Sequence, residues 1–167
     1  SPEDRLKGIT LQTAEWRRPP ANTIPTDAKA AGLYMICTLS KHKAEKDGFT
    51  DALMLDYEGK VAESTGSNIF FVFDGELHTP IPHCFLDGIT RQTAISIAEK
   101  QGIKVVQRDI YPEEIKDAQE IFLTGSAVEI NPVRKIDDLE FKVGKVTSMI
   151  SDLYLSEVDK NYKIDNS

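Results

Sequence analysis

The sequence predicts a mixed α/β (α+β) domain in which strands and helices alternate along one chain. Two hairpin signals lie close together in the first half, at 51–64 and 68–80. Segments with helical periodicity follow at 88–102 and 144–158, and strand patterns lie between them. A chain of 167 residues fits one domain with a buried core, and early hairpins with later crossovers indicate an α/β or α+β architecture.

Composition excludes several classes of function. The chain is 40% hydrophobic and 28% charged, as in ordinary globular proteins, and its net charge is −7. That charge argues against nucleic acid or an anionic membrane as a partner, and no apolar run is long enough to cross a bilayer. Cys37 and Cys84 stand far apart without a CxxC pair, so we expect two reduced core cysteines, no metal site and a cytoplasmic location.

The first 46 residues are predicted to form an extended segment followed by one helix. Residues 1–20 are polar and end in "WRRPP", which predicts an extended lead-in because each proline disfavours helix at the residue before it. Apolar residues then recur at helical spacing from about 30 to 46, and Gly48 suits the end of that helix.

Two hairpins follow this helix. Their turns are the "YEGK" stretch and the Asp74-Gly75 pair, which is a strong hairpin signal. The predicted strands are 51–56, 61–64, 68–73 and 76–80.

The second half alternates helices with strands. Helix 88–102 has Thr90 near its start and Gly102 at its end, and Pro112 opens a short helix over 112–119. A last helix, 144–158, has Val146, Ile150, Leu153 and Val158 on one predicted face. The strands predicted between these helices are 103–110, 120–125 and 126–132.

One lysine has unusual neighbours. Lys29 lies in "NTIPTDAKAAG", where Ala28, Ala30 and Ala31 leave space around its amine. An amine attacks a carbonyl only when neutral, and an uncharged, desolvated pocket lowers the pKa of a lysine. A solvated surface lysine is the alternative reading of this pattern.

Three further stretches carry groups that could bind a ligand, one through a heteroaromatic nitrogen and two through a phosphate. Glu63 lies on the second strand of the first hairpin, where it is either an outward polar residue or an inward partner for a heteroaromatic nitrogen. "GIT" at 88–90 opens a helix and "TGSA" at 124–127 ends a strand, and amides with hydroxyls in such places bind phosphate.

Together these stretches resemble the fold-type IV pyridoxal-phosphate enzymes, and most closely the branched-chain amino-acid aminotransferases. The resemblance covers about Arg17 to Val133 and rests on four segments in the family's order: "RRPPANTIPTDAKAAGLY", "ALMLDYEGKVAESTGSNIFFVFDGELHTP", "FLDGITR" and "FLTGSAVEINPV". It implies the family's large C-terminal domain, in which helices flank a mixed, mostly antiparallel sheet that forms a pseudo-barrel. It also implies pyridoxal 5′-phosphate as cofactor, a homodimer, and amino-group transfer between leucine, isoleucine or valine and 2-oxoglutarate.

The resemblance also implies a role for each matching residue. Lys29 attaches to the cofactor aldehyde and moves a proton between substrate Cα and cofactor C4′. Glu63 pairs with the pyridine nitrogen, and Tyr34 hydrogen-bonds the phenolic oxygen. Ile89, Thr90 and Ser126 bind the phosphate, and the amides of Ser126 and Ala127 bind the substrate carboxylate.

The sequence departs from the family pattern in several places. Leu33 replaces the asparagine that usually precedes the tyrosine, and Ser64 and Ser67 replace a glycine and a glutamate. Family members also carry a smaller N-terminal domain, so we expect residues 21–167 to be the cofactor domain and the chain alone to bind cofactor weakly and turn over little. Alternatives on this fold are a D-amino-acid aminotransferase, an aminodeoxychorismate lyase and a catalytically silent assembly module.

Overall fold

The computed structural model describes residues 4, 6–23, 31–127 and 129–165. Nine strands lie within these ranges and form one sheet in the order β3-β2-β1-β8-β7-β4-β5-β6, with β9 paired to β8. The strands are β1 (Ile9–Thr13), β2 (Asp51–Leu55), β3 (Val61–Ser64), β4 (Asn68–Phe73), β5 (Glu76–Thr79), β6 (Val105–Gln107), β7 (Glu120–Gly125), β8 (Glu129–Ile136) and β9 (Leu139–Glu140).

The pairing pattern is mixed, as the sequence predicts. Within the described ranges, β1 runs parallel to both β2 and β8, and β5 runs parallel to β6. The remaining pairs, β2–β3, β4–β5, β4–β7, β7–β8 and β8–β9, are antiparallel. The expectation of a mixed, mostly antiparallel sheet is therefore confirmed.

The lead-in predicted for residues 1–20 is wrong in one respect. Residues 9–13 are extended, but they form β1 inside the sheet, between β2 and β8, and Leu11 is fully buried. The prolines at 19 and 20 restrict the backbone only at the end of this segment. Residues 9–13 ("ITLQT") instead pair with strands that lie 40 or more residues further along the chain. The sheet thus begins before residue 21, and the domain boundary predicted there does not hold.

Both faces of the sheet are covered, and the sheet curls around its inner face. Inward side chains from β1 to β4 and from β7 and β8 meet in one apolar cluster that includes Leu53, Phe71, Leu123 and Val133. Strands from both halves of the sheet contribute to this cluster, so the halves turn toward each other. The result is the half-barrel of a pseudo-barrel fold.

Helices cover the outer face in two separate places. The helices are α1 (Ala31–Lys46), α2 (Ile89–Lys100) and α3 (Lys145–Asp165). Helix α1 packs on β2 through Ala44 and Met54. Helices α2 and α3 pack on β4, β7 and β8, where Phe70 and Phe122 stack with ring centroids 5.0 Å apart. A gap remains on the outer face between the start of α1 and the start of α2, and this gap holds the candidate site.

Most predicted elements lie close to their observed positions. The Asp74-Gly75 turn is confirmed, because both residues have the positive φ (47° and 76°) that such a hairpin turn requires. The short helix at Pro112–Asp117 is a 3-10 helix, and β6 is shorter than the strand predicted over 103–110.

Two predictions at the end of the chain need correction. Strand β8 does not stop at Pro132 but continues to Ile136, because β1 becomes its partner from Val133 onward. Val158 is 40% exposed and does not lie on the buried face of α3. The apolar contacts between α3 and the rest of the domain end near Leu153 and Tyr154.

None of the helices described above combines the length and apolarity that crossing a bilayer requires.

Candidate functional site

A cavity of about 580 Å³ fills the gap between α1 and α2. This volume lies within the usual range for small-molecule sites. Its walls come from the first turns of α1, the β3–β4 turn, the loop before α2 and the end of β7. All six site residues that were predicted within the described ranges line it: Tyr34, Glu63, Ile89, Thr90, Ser126 and Ala127.

Lys29 lies outside the described residues. Its predicted role therefore stays a prediction. The described helix α1 begins two residues later, at Ala31, and its Leu33 and Tyr34 line the cavity.

Glu63 supplies a buried carboxylate to the cavity. It lies directly across from Met54 in the β2–β3 ladder, and Met54 packs under α1, so Glu63 also faces the helix side of the sheet. Only 8% of Glu63 is exposed. Burial raises the pKa of Glu63 to about 7, and the Arg18 guanidinium opposes that rise.

Arg18 holds this carboxylate through a buried ion pair. Its Nη1 lies 2.6 Å from Glu63 Oε1, and its Nε donates to the carbonyl oxygen of Cys84 at 2.8 Å. Among the described residues the Glu63 carboxylate has no further hydrogen-bond partner, which leaves Oε2 free to accept a bond from a ligand. The site therefore offers an acceptor that is oriented by a fixed cation.

Sequence reasoning assigned no role to Arg18. The residue was visible in "WRRPP", but its type alone did not distinguish it from Arg17 beside it. In the structure Arg18 forms an isolated parallel bridge with Asp56 that continues the line of β1 and β2, and no local pattern in the sequence indicates this bridge.

The start of α2 supplies backbone donors at the other end of the cavity. Gly88 occupies the N-cap position in an extended conformation, without a side-chain cap and with no acidic residue in the first turn. The first helical bond in this turn joins Gln92 N to Gly88 O, so the amides of Ile89, Thr90 and Arg91 have no partner in the helix. Thr90 is buried, whereas Ile89 is 82% exposed. These amides suit an anion.

The end of β7 adds hydroxyls. Ser126 and Ala127 lie on the exposed rim. Below them the Thr124 hydroxyl is buried and has no hydrogen-bond partner within the described residues, although Thr124 lines the cavity. A buried hydroxyl without a partner is costly, so this end of the cavity is built for a polar ligand atom.

The side of α1 that faces the cavity is only partly covered. Tyr34 is 61% exposed, and Leu33, which replaces the usual asparagine, is buried. Cys37 is half-buried rather than a core residue as predicted, and burial raises the pKa of its thiol while Arg18 opposes that rise. Cys84 is buried as predicted.

The departures at Ser64 and Ser67 have a structural account. The Ser64 hydroxyl accepts a hydrogen bond from Ser67 N at 3.1 Å and thereby closes the β3–β4 turn. Ser67 lies against Gly125, where an added Cβ would stand 2.7 Å from Ser67 Oγ. Ser67 thus forms part of the cavity wall, Ser64 closes the turn beside it, and neither replaces a predicted ligand group.

The fold is that of a class of aminotransferases. The family model for Amino-transferase class IV matches residues 1–136, and the chain belongs to that family.

Individual relatives share extensive sequence with the chain. A probable branched-chain-amino-acid aminotransferase of Rickettsia bellii is 42% identical over 153 residues, which are 92% of this chain and 53% of the relative. The chain spans about half the length of the curated relatives it matches.

Solved structures of relatives show the same fold. The branched-chain aminotransferase of the archaeon Thermoproteus uzoniensis, solved with norvaline, is 38% identical and superposes with a TM-score of 0.86, covering 90% of this chain and 51% of that one. An aminotransferase from Brucella abortus, solved with the co-factor PLP bound, is also 38% identical and gives a TM-score of 0.85, covering 90% of this chain and 54% of that one.

Proposed function

We propose that this chain is the cofactor-binding part of a pyridoxal-phosphate transaminase. Its substrates would be branched-chain L-amino acids as amino donors and 2-oxoglutarate as acceptor. The observation that carries the proposal is the pairing, in one cavity, of a buried acceptor at Glu63 with unpartnered helix-start amides at Ile89 and Thr90. A flat ring with a basic nitrogen at one end and a phosphate at the other matches that arrangement.

The residues present fit this cofactor. The cavity is large enough for it, the buried Thr124 hydroxyl lacks a partner among the described residues, and the donors at α2 suit a dianion. When bound, pyridoxal phosphate supplies an electron sink that stabilises negative charge at the substrate Cα.

Each residue then has a defined task. Glu63 accepts the pyridine N–H and keeps a proton on the ring nitrogen, while Arg18 keeps the carboxylate oriented. The amides of Ile89 and Thr90 and the hydroxyls of Thr90 and Ser126 hold the phosphate. Tyr34 donates to the phenolic oxygen. The amides of Ser126 and Ala127 bind the substrate carboxylate.

Lys29 moves the proton in this proposal. Its Nζ takes the proton from the substrate Cα and delivers it to C4′ of the cofactor. Between turnovers the same amine would hold the cofactor through its aldehyde carbon, with the aldehyde oxygen leaving as water.

Covalent attachment gives the direct test. The chain is incubated with pyridoxal phosphate, reduced with borohydride, digested and analysed by mass spectrometry, and we expect the cofactor mass on Lys29. Lys29→Ala should lose this adduct. Lys41→Ala is the matched control, because Lys41 lines the cavity but has no assigned task. Attachment at Lys41 or elsewhere in place of Lys29 contradicts the proposal.

Turnover tests the substrate class. Glutamate formation from 2-oxoglutarate is measured with L-leucine, L-isoleucine and L-valine, and with D-alanine as the competing class. Since Tyr34 and Ile89 leave one side of the cavity open to water, we expect low turnover and weak affinity from these 167 residues alone. Transfer from D-alanine but from no branched-chain amino acid would contradict the assignment.

We further infer a cytoplasmic homodimer. Met35 and Leu39 project from α1 as exposed apolar side chains beside the exposed Tyr34, which suits contact with a second copy. Two free thiols are what a reducing compartment maintains. Sedimentation analysis of the chain and of a Met35→Glu/Leu39→Glu variant tests the dimer, which the variant should dissociate.

A further inference from the structure

We propose that Asn68 is a positioning residue for the phosphate-binding loop, here defined as residues 86–90. This inference rests on the proposed function and extends it to a residue that need not touch the cofactor. Asn68 is the first residue of β4 and lies across from Thr124 in the β4–β7 ladder. It is therefore fixed to the sheet that forms the cavity floor.

The carboxamide of Asn68 binds the loop at two points. Its Nδ2 donates to the carbonyl oxygen of Leu86 at 2.9 Å, and its Oδ1 accepts from the amide of Gly88 at 3.3 Å. Only 6% of Asn68 is exposed, so water competes poorly for these bonds. A carboxamide is required here, because the site needs one donor and one acceptor on the same side chain.

The glycine at position 88 leaves room for this contact. Its backbone angles, φ −67° and ψ 151°, are open to any residue, so no conformational demand explains the glycine. A Cβ at Gly88 would instead stand 2.8 Å from Asn68 Oδ1, with no other atom outside Asn68 within 4 Å. The glycine lets the loop approach Asn68 closely enough to be bound.

Arg91 holds the other side of the same loop. It is fully buried, its Nη1 donates to Asp87 Oδ1 at 2.7 Å, and its Nη2 donates to Gln107 Oε1 at 2.9 Å and to the Pro80 carbonyl oxygen. With Asn68 on one side and Arg91 on the other, the loop presents the amides of Ile89 and Thr90 in one orientation. An anion then binds without first ordering the loop.

The test measures phosphate binding and not turnover. The ¹⁵N-labelled 167-residue chain is titrated with inorganic phosphate, and the amide signals of Ile89 and Thr90 report the dissociation constant. For Asn68→Ala we expect about tenfold weaker binding, the lower end of the loss seen when a residue that orients a metal ligand is removed. Thr10→Val is the matched control, because it removes a part-buried hydrogen bond to Thr50 away from the cavity and should leave phosphate affinity unchanged.

A double-mutant cycle separates positioning from general destabilisation. Gly88→Ala displaces the Asn68 carboxamide, so alone it should weaken phosphate binding, and adding Asn68→Ala should cause little further loss. Additive losses, equal losses in Asn68→Ala and Thr10→Val, or unchanged affinity in Asn68→Ala overturn the inference. If Asn68→Ala does not fold, unchanged phosphate affinity in Gly88→Ala alone overturns it, and weakened affinity supports it.

The outcome is distinguishable from failure of the proposed function. If the unmodified chain attaches cofactor at Lys29 but Asn68→Ala binds phosphate normally, only the role of Asn68 is refuted. If phosphate moves none of the loop amide signals in the unmodified chain, the phosphate site itself is refuted, and the inference with it.

Discussion

Arg18 and Glu63 form a buried ion pair across two segments of chain, with Nη1 2.6 Å from Oε1. Removing both charges from water costs several kcal/mol per ion, and the close contact of the pair offsets part of that cost. The same contact leaves one oxygen of Glu63 for a ligand. Stability and binding thus depend on the same two side chains, and this makes the pair testable in the absence of any ligand.

Breaking the pair on one side should destabilise the fold. Arg18→Met leaves a buried carboxyl that must take up a proton, and we expect a loss of about 3–5 kcal/mol in the free energy of unfolding at pH 7. Urea denaturation measures it. Arg18→Met/Glu63→Gln should recover much of the loss, since no unpaired charge then remains. A double variant less stable than Arg18→Met would show that the residues do not couple in this way.

Glu63 should make stability depend on pH. The pKa of Glu63 is raised from 4.5 to about 7, so the folded state holds a proton that the unfolded state has released. Its contribution to stability is full below pH 4.5 and is lost as the pH rises through 7. The shift corresponds to roughly 3 kcal/mol.

The comparison that isolates this effect uses Glu63→Gln. Other carboxylates titrate in both proteins, for example Glu114, whose pKa is lowered by the hydrogen bond from Arg108. Their contributions cancel when the stability of the variant is subtracted from that of the unmodified chain. Between about pH 4.5 and 7.5 the unmodified chain should lose stability relative to the variant. Parallel stability curves would mean that Glu63 is not perturbed.

Glu120 should stabilise the start of α3. Its Oε1 accepts from the amide of Thr147 at 2.9 Å and its Oε2 from the amide of Val146 at 3.3 Å, which satisfies two donors that the helix leaves open. Glu120→Ala should lower the free energy of unfolding by about 1–2 kcal/mol, and Glu120→Gln by less. Glu99→Ala, at an exposed position on α2, is the control and should change little. Equal effects of the two alanine variants would contradict the capping role.

Much of this fold follows from local signals in the sequence. Asn68–Phe73 and Glu120–Gly125 match their predicted strands, because each contains an apolar run, at 69–73 and 121–123, and the sheet buries both of its faces there. The turn at Asp74 and Gly75 could be predicted from that residue pair alone. Strand β1 was missed because it depends on distant partners in β2 and β8, and no periodicity within five residues carries that information.

The candidate site divides in the same way. Glu63, Thr90 and Ser126 were predicted because each lies in a motif, and the fold brings all three to one cavity. Arg18 and Asn68 were missed because their importance lies in a partner: a carboxylate 45 residues later for one, and a loop 18 residues later for the other. Residue type indicated what each could bind, but only topology shows what it does bind.

Cys37 should report occupancy of the cavity. Burial raises the pKa of its thiol, and that of Cys84 to about 11, so both should alkylate slowly at about pH 8, and Cys37, which lines the cavity, should be the faster of the two. Pyridoxine 5′-phosphate is the suitable probe, because it lacks the aldehyde that attacks surface lysines. In a Cys84→Ser background, saturating probe should slow iodoacetamide labelling of Cys37 several-fold. The reciprocal Cys37→Ser variant should show no change at Cys84. If the probe shifts the Ile89 and Thr90 amide signals while the labelling rate of Cys37 stays the same, then the ligand does not extend from the phosphate end toward Glu63, and the orientation assigned to it is wrong.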